Sequence, residues 1–511
     1  MLGVFESGNS TPDIAKVQVS NTRKSVNTTQ IKALHDKYGQ VVRVAPDSLS
    51  YTCSQAWSDV YALKQSNQTG NLPKDPKFYI RAPGNPDYGG PYAHYPQNDF
   101  YLQTGQLAYL TCLEVEIVLR IMCVWPTVPD TISSAGDADH RRLRRLQAHA
   151  FSEKAIMLQE TYLQDHTRKF INRLRDEASR KNGIIDLAKW VNFLTTDVIG
   201  DLSFGESFGG LDTGKLHPWL DTLFTTLKTF TFIREILRLP PPIIKASLAC
   251  IPRAMREHQQ GAVAFGAEAA RRRMAQKTDR PDFMSYMMRH NDDGSRGMSQ
   301  SELEMAAITF IVAGSETTAT MISGTMYLLI CNPTVLSNLT KKIQSDFPAP
   351  SDLTGINLQK HKYLNSVLKE GMRLYPPAPD TLFRTTQDHP AMVAGKLVPP
   401  HTSITMNLWA AGRDPVNFHR PLEFIPERWM EDACPEFRKD DKAAFKPFST
   451  GPRDCIGKNL AWAEMRLILA QLVWTFDFLG VEPESRQWIE RQKIFSLWEK
   501  LPLNPLGEEG G

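Results

Sequence analysis

Apolar positions recur along this chain with two different periods. Val41-Val42-Arg43-Val44-Ala45 and Leu49-Ser50-Tyr51-Thr52 are short β-branched and aromatic runs on either side of Pro46-Asp47, which predicts a hairpin. Ser54 to Leu63 and Trp190 to Phe204 instead carry apolar residues at helical spacing, and the second of these is predicted as core. The longest helical pattern runs from Ser301 to about Leu329, opened by the capping box Ser299-Gln300-Ser301-Glu302 and stopped by Asn332-Pro333. At ~1.5 Å per residue it spans on the order of 44 Å, enough to cross a whole domain. Further helices are predicted around Asp139 to Phe151, through Lys369-Glu370-Gly371-Met372-Arg373-Leu374 and from Lys458 onward, with Thr381 to Arg384 as a strand. The expectation is a mainly α fold with a small β lobe, organised as one domain over residues 1–511.

Four stretches depart from this grammar. Residues 1–30 form a polar leader with neither a signal-peptide core nor a membrane span. Residues 83–128 begin crowded with Pro, Gly and Tyr, then become largely apolar but are broken by Glu114, Glu116 and Arg120. That region lacks period 2 or 3.6 and is predicted to be an atypical insertion, packed outside the core. Leu237 to Ile251 is apolar and broken by Pro240-Pro241-Pro242, with a buried loop and an interfacial role both open. Residues 504–511 are predicted to be a disordered tail.

Composition narrows the function classes. Of 511 residues, 41% are hydrophobic, enough for a substantial core, and the net charge of +3 gives no electrostatic case for nucleic acid. Seven cysteines at 53, 112, 123, 250, 331, 434 and 455 include no C-x-x-C pair and no disulfide framework. That pattern fits a reducing compartment with one functional thiolate.

The candidate chemistry centres on Phe448-Ser449-Thr450-Gly451-Pro452-Arg453-Asp454-Cys455-Ile456-Gly457. Gly451 and Gly457 allow sharp bends and close approach to a flat ligand. Amides opening the next helix favour a Cys455 thiolate, and Arg453 is placed to pair with an anionic group. Phe448 shields the sulfur from water. This stretch resembles the haem-binding loop of the cytochrome P-450 family, Phe-x-x-Gly-x-Arg-x-Cys-x-Gly. The resemblance covers about Lys37 to Leu503 apart from 83–128.

It implies the family's triangular helical fold, haem b held by Cys455, and insertion of one oxygen atom into an apolar small molecule. It further implies that His140 and Arg144 bind a haem propionate, that Arg384 reaches the second, and that Ala313 and Gly314 border the cofactor in a helix weakened at that point. Glu316 and Thr317 would be the acid–alcohol pair that delivers protons to dioxygen. Glu370, Arg373 and Arg428 would form a buried structural triad, while Arg141, Arg142 and Arg145 are expected on the surface. His401 stands where the family's turn carries Gly. NADPH would act through a separate reductase, on the cytosolic face of the endoplasmic reticulum membrane or in a peripheral or cytoplasmic form. The closest likeness is to fungal members of secondary metabolism, including mycotoxin pathways. A haem-dependent isomerase or dehydratase of the same fold, or a non-catalytic haem-binding or truncated product, are the alternatives.

Overall fold

A computed structural model of the chain describes residues 28–62, 72–75, 129–180, 184–225, 243, 247, 253–289, 297–495 and 497–509. The 83–128 stretch, nearly all of Leu237–Ile251 and residues 1–27 of the leader lie outside these residues. The leader's last positions already belong to helix α1, Thr28–Tyr38.

The predicted hairpin forms as β1 (Val41–Ala45) and β2 (Ser48–Tyr51), paired antiparallel. It joins a four-stranded sheet, β1-β2-β6-β3, in which β2 runs parallel to β6 (Ser403–Asn407) and β3 (Asp380–Thr385) runs antiparallel to it. Between Thr381 and Arg384 the register shifts, and Leu382 adopts φ 68°. This bulge lets β3 turn Arg384 inward, where it is buried. Nearby, β4 (Ala391–Val393) pairs with β5 (Lys396–Val398). His401 takes φ 55°, so the position read as a glycine turn keeps its left-handed backbone although a histidine occupies it.

The helical layer is built around one spine. Helix α2 (Ser54–Tyr61), α3 (Asp137–Ala148), α4 (Glu153–Arg180) and α5 (Leu187–Phe204) precede α6 (Arg253–Ala275) and α7 (Gln300–Ile330). Both halves of the Ser299/Glu302 capping box are made at the start of α7. Helix α8 (Pro333–Asp346) starts with proline in its first turn, where a missing N–H costs nothing. Helices α9 (Lys362–Leu374) and α10 (Lys458–Thr475) follow.

Among the described residues α7 is the one helix long and apolar enough to cross a membrane, but it is mostly buried by α5, α6, α9 and α10. It is therefore the core of the fold. Gly314, expected beside the cofactor, lies where α7 packs on α5. A Cβ there would meet Ile199 Cδ1 at 2.7 Å, so the glycine serves close helix packing. The stretch read as weakened is assigned as helix throughout, and within it the Ser315 and Thr317 hydroxyls donate to the Ile311 and Ala313 carbonyls at 2.7 and 2.6 Å, a back-bond that tends to bend a helix.

The tail is also corrected. Pro505–Glu509 forms β10, paired antiparallel with β7 (Phe476–Val481), with Leu506 opposite Gly480. Its polar, Gly-rich composition suits an edge strand supported by a distant partner, which a local reading cannot see. Strands β8 (Lys493–Phe495) and β9 (Leu497–Glu499) form the last hairpin, ahead of Lys500.

Candidate active site

The Cys455 loop closes on itself before α10 begins. Cys455 N–H donates to the Phe448 carbonyl at 2.9 Å, and Asp454 N–H to Gly451 at 3.1 Å. Gly451 has φ 81°, and a Cβ there would meet the Tyr61 carbonyl oxygen at 2.1 Å. No other residue type fits that contact between the loop and α2. Gly457 is the N-cap of α10. Phe448 stands beside Trp462 of α10, ring centroids 6.1 Å apart.

Cys455 is enclosed by the protein yet keeps an open surface. Burial pushes its thiol up, opposed by the Gly457 N–H and by the Arg144 and Lys458 charges. Ala313 is likewise exposed, although most of α7 around it is buried.

A ring of cations stands beside the loop, on three elements distant in sequence. Arg453 donates to the Ala135 carbonyl at 2.7 Å and to Asp137 Oδ1 through Nε at 3.2 Å and Nη2 at 2.7 Å. Arg144, on α3, donates to the Asp454 backbone carbonyl and, at 2.6 Å, to its carboxylate. His140, one turn earlier, is buried. Its pKa is pushed down to about 3 by burial, then by Arg453, Lys74 and Arg144, with Asp137 opposing. Arg384 lies over the Tyr61 ring at 5.1 Å and donates to the Phe383 carbonyl at 3.1 Å. The Asp137 carboxyl feels burial upward, but Arg453, His140 and Arg384 hold it below its ordinary value. The structure thus brings together His140, Arg144, Arg384 and Arg453, and adds Lys74 and Asp137, which the sequence did not single out.

On α7, Glu316 and Thr317 point different ways. Thr317 shares the Ala313 side and is bonded to its carbonyl. Glu316 accepts from Asn192 Nδ2 of α5 at 2.7 Å and forms an ion pair with Lys500. Thr318, next in sequence, is hydrogen-bonded to Glu464 of α10, which is buried. Burial raises the Glu464 carboxyl to about 8, with the Thr318 hydroxyl opposing.

A family profile described as Cytochrome P450 matches residues 128–503. The chain belongs to the cytochrome P-450 family. It is 37% identical over 92% of its length to "Cytochrome P450 monooxygenase aclL" of Aspergillus oryzae, covering 86% of that protein. It is 34% identical to "Trichothecene C-15 hydroxylase" of Fusarium sporotrichioides, covering 92% of this chain and 86% of the relative. A crystal structure of cytochrome P450DA haem domain superposes with a TM-score of 0.62 at 21% identity, over 72% of this chain and 77% of that one. The chain is accordingly a cytochrome P-450 monooxygenase of the haem b-binding, cysteine-thiolate type, working on a small molecule with dioxygen and a redox partner. The relatives' names side with oxygen insertion over isomerisation, dehydration or a non-catalytic role.

The residues present fit a P-450 haem: a soft sulfur donor with open surface, and the Arg144, Arg384 and Arg453 cations, with His140, matched to two carboxylates. Behind the loop sits the structural triad. Glu370 accepts from Arg373 Nε at 2.8 Å and Nη2 at 2.7 Å, and from Arg428 Nε at 3.0 Å. Ile425 N–H and Trp429 Nε1 add bonds of 2.9 and 2.8 Å. All three triad side chains are fully buried. Burial works to raise the Glu370 carboxyl, but Arg373 and Arg428 hold it below its ordinary value. Asp440 completes the network at 2.6 Å from Arg428. Of the α3 arginines expected on the surface, Arg142 instead bridges Asp139 and Glu302, tying α3 to the start of α7.

Proposed function

We propose that Cys455 supplies the thiolate that would hold haem b in a monooxygenase that oxidises an apolar small molecule of fungal secondary metabolism. The observation that carries this is the open, protein-enclosed Cys455 surface flanked by His140, Arg144, Arg384 and Arg453. When bound, haem supplies the redox chemistry by which dioxygen is reduced and one oxygen atom passes to substrate.

The chain's own residues do the rest. Cys455 would hold the iron, and Phe448 would limit water at its sulfur. The arginines and His140 would orient the two propionates by charge-assisted bonds, with His140 offering a neutral ring N–H. Ala313 leaves room on the α7 side. Glu316 takes protons from solvent and Thr317 holds a hydroxyl on the Ala313 side, so that the two together control where protons arrive.

Electrons come from an NADPH-dependent reductase in trans. A cavity of about 580 Å³ is lined by Lys360, Lys369, Lys458, Arg466, Phe448 and Trp462, which gives an acidic partner a basic seat next to the loop. Lys369 is pushed down by burial, Lys442 and Arg466, so a partner carboxylate there relieves a real repulsion. The enzyme works with that reductase at the cytosolic face of the endoplasmic reticulum membrane, a reading that its family membership supports.

The test is the absorption spectrum of the reduced, carbon monoxide-treated protein. The wild-type chain should show the thiolate-type Soret band, and Cys455→Ala should lose both the band and turnover. A Cys455→Ala protein that keeps the band refutes the assignment.

A further inference from the structure

The Glu316 carboxylate is the base of a pocket whose walls lie far apart in the chain. This pocket, about 410 Å³, opens between α5 and the β8–β9 hairpin and is lined by Asn192, Phe193, Glu316, Trp498 and Lys500. Lys500 follows β9 directly, and its side chain is nearly buried, with 8% of its surface exposed against 14% for Glu316. Its ammonium pairs with Glu316 and donates to Thr320 Oγ1, one turn along α7, at 3.2 Å. Asn192 fixes the other carboxylate oxygen at 2.7 Å. Asp186, Lys189, Asp221 and Glu499 are the other charged groups on the pocket wall.

Helix geometry sets Glu316 about 100° round α7 from Thr317. The held carboxylate therefore faces pocket water, while Thr317 faces the Ala313 side. An ion pair this enclosed is retained only where neighbouring groups support it, since stripping two charges of water is costly. Here Asn192 and Thr320 supply that support from two different helices.

We propose that Lys500 is a positioning residue for proton uptake: it fixes the Glu316 carboxylate at the base of this pocket, making the α5/β9 opening the solvent inlet for protons consumed at the α7 face. The proton moves from pocket water to a Glu316 carboxylate oxygen, and leaves from that oxygen towards Thr317. Lys500 supplies charge and orientation and is not itself a stop on the route. This rests on the reading of Glu316 as a proton-delivering acid.

The experiment uses the full-length holoenzyme with reductase and NADPH and no added substrate, so no substrate identity is needed. NADPH oxidation and its solvent deuterium isotope effect are measured for Lys500→Gln, Lys500→Arg, Thr320→Val and Glu316→Gln, each checked by its reduced carbon monoxide spectrum. Lys500→Gln should slow oxidation at least five-fold and double the isotope effect. Lys500→Arg, which keeps the charge, should recover most of the rate. A separate infrared readout follows the carboxylate stretching band that Glu316→Gln removes; Lys500→Gln should shift it.

A Lys500→Gln rate within two-fold of wild type, with the band unmoved, overturns the proposal. If Glu316→Gln is slowed while Lys500→Gln is not, only the role of Lys500 fails. If Glu316→Gln itself behaves as wild type, the reading of Glu316 fails first. Should Lys500→Gln not fold, Thr320→Val decides: an unchanged isotope effect there counts against the proposal.

Discussion

Replacing Glu370 by Gln removes one negative charge from a site that no solvent reaches, while keeping its shape. Five donors converge on that carboxylate: two from Arg373, one from Arg428, the Ile425 N–H and the Trp429 indole. Arg428 retains Asp440 at 2.6 Å, but Arg373 loses its anionic partner and keeps only neutral acceptors, among them the backbone carbonyls of Gly412, Pro421 and Glu423. Arg413, also buried, already stands close enough to Arg373 to have its own pKa driven down, first by burial and then by that charge. An uncompensated buried cation of this kind costs about 3–5 kcal/mol. For a chain of this length the unfolding entropy makes 1 kcal/mol worth roughly 1 °C, so the melting midpoint should fall by about 3–5 °C. Haem retention on dilution should fall with it, because the triad braces the segment leading to the Cys455 loop. Pairing Glu370→Gln with Arg428→Met gives a sharper check: the double variant should lose less than the two singles combined, since opposite charges leave together. A Glu370→Gln protein melting within 1 °C of wild type, or strict additivity in the cycle, would show that the triad is not the electrostatic unit its geometry describes.

Other consequences can be read at the bench. Thr317→Ala should leave the reduced carbon monoxide spectrum intact while raising peroxide per NADPH severalfold, because its hydroxyl touches α7 and not the thiolate; unchanged coupling removes Thr317 from the mechanism. Glu464 has a folded pKa raised to about 8 from an ordinary 4.5, so its stabilising neutral form is fully present below about 4.5 and is lost as pH rises through 8. At about 1.4 kcal/mol per pH unit that interval holds at most on the order of 5 kcal/mol. Glu464→Gln should flatten the decline in thermal stability between pH 5 and 9, and an identical pH profile would refute the neutral-carboxyl reading. Gly451→Ala should cost haem loading outright, since its Cβ collides with the Tyr61 carbonyl, whereas normal loading would mean that the loop relaxes freely.

The residues that were legible in the chain share one property: their partners are close in sequence or fixed by a motif. The capping box of α7 is made within four residues, and Glu370 and Arg373 lie one helical turn apart. The Cys455 loop closes through bonds within itself. What was missed is the set of contacts whose two halves are chosen by the fold. Lys500 is separated from Glu316 by 184 positions, and Arg453 from Asp137 by 316. Gly314 carries a second requirement of this kind: Ile199 on α5 leaves no room for a Cβ, a demand that no local pattern announces. The same holds for β10, whose Gly-Glu-Glu composition is that of a loose end until β7 supplies the hydrogen bonds. A motif names which atoms meet the cofactor, because that chemistry is common to many chains. The route by which water and protons reach those atoms is assembled from surface elements, here α5 and the end of β9. Their side chains carry no fixed spacing relative to the thiolate, so Lys500 had to be found in three dimensions.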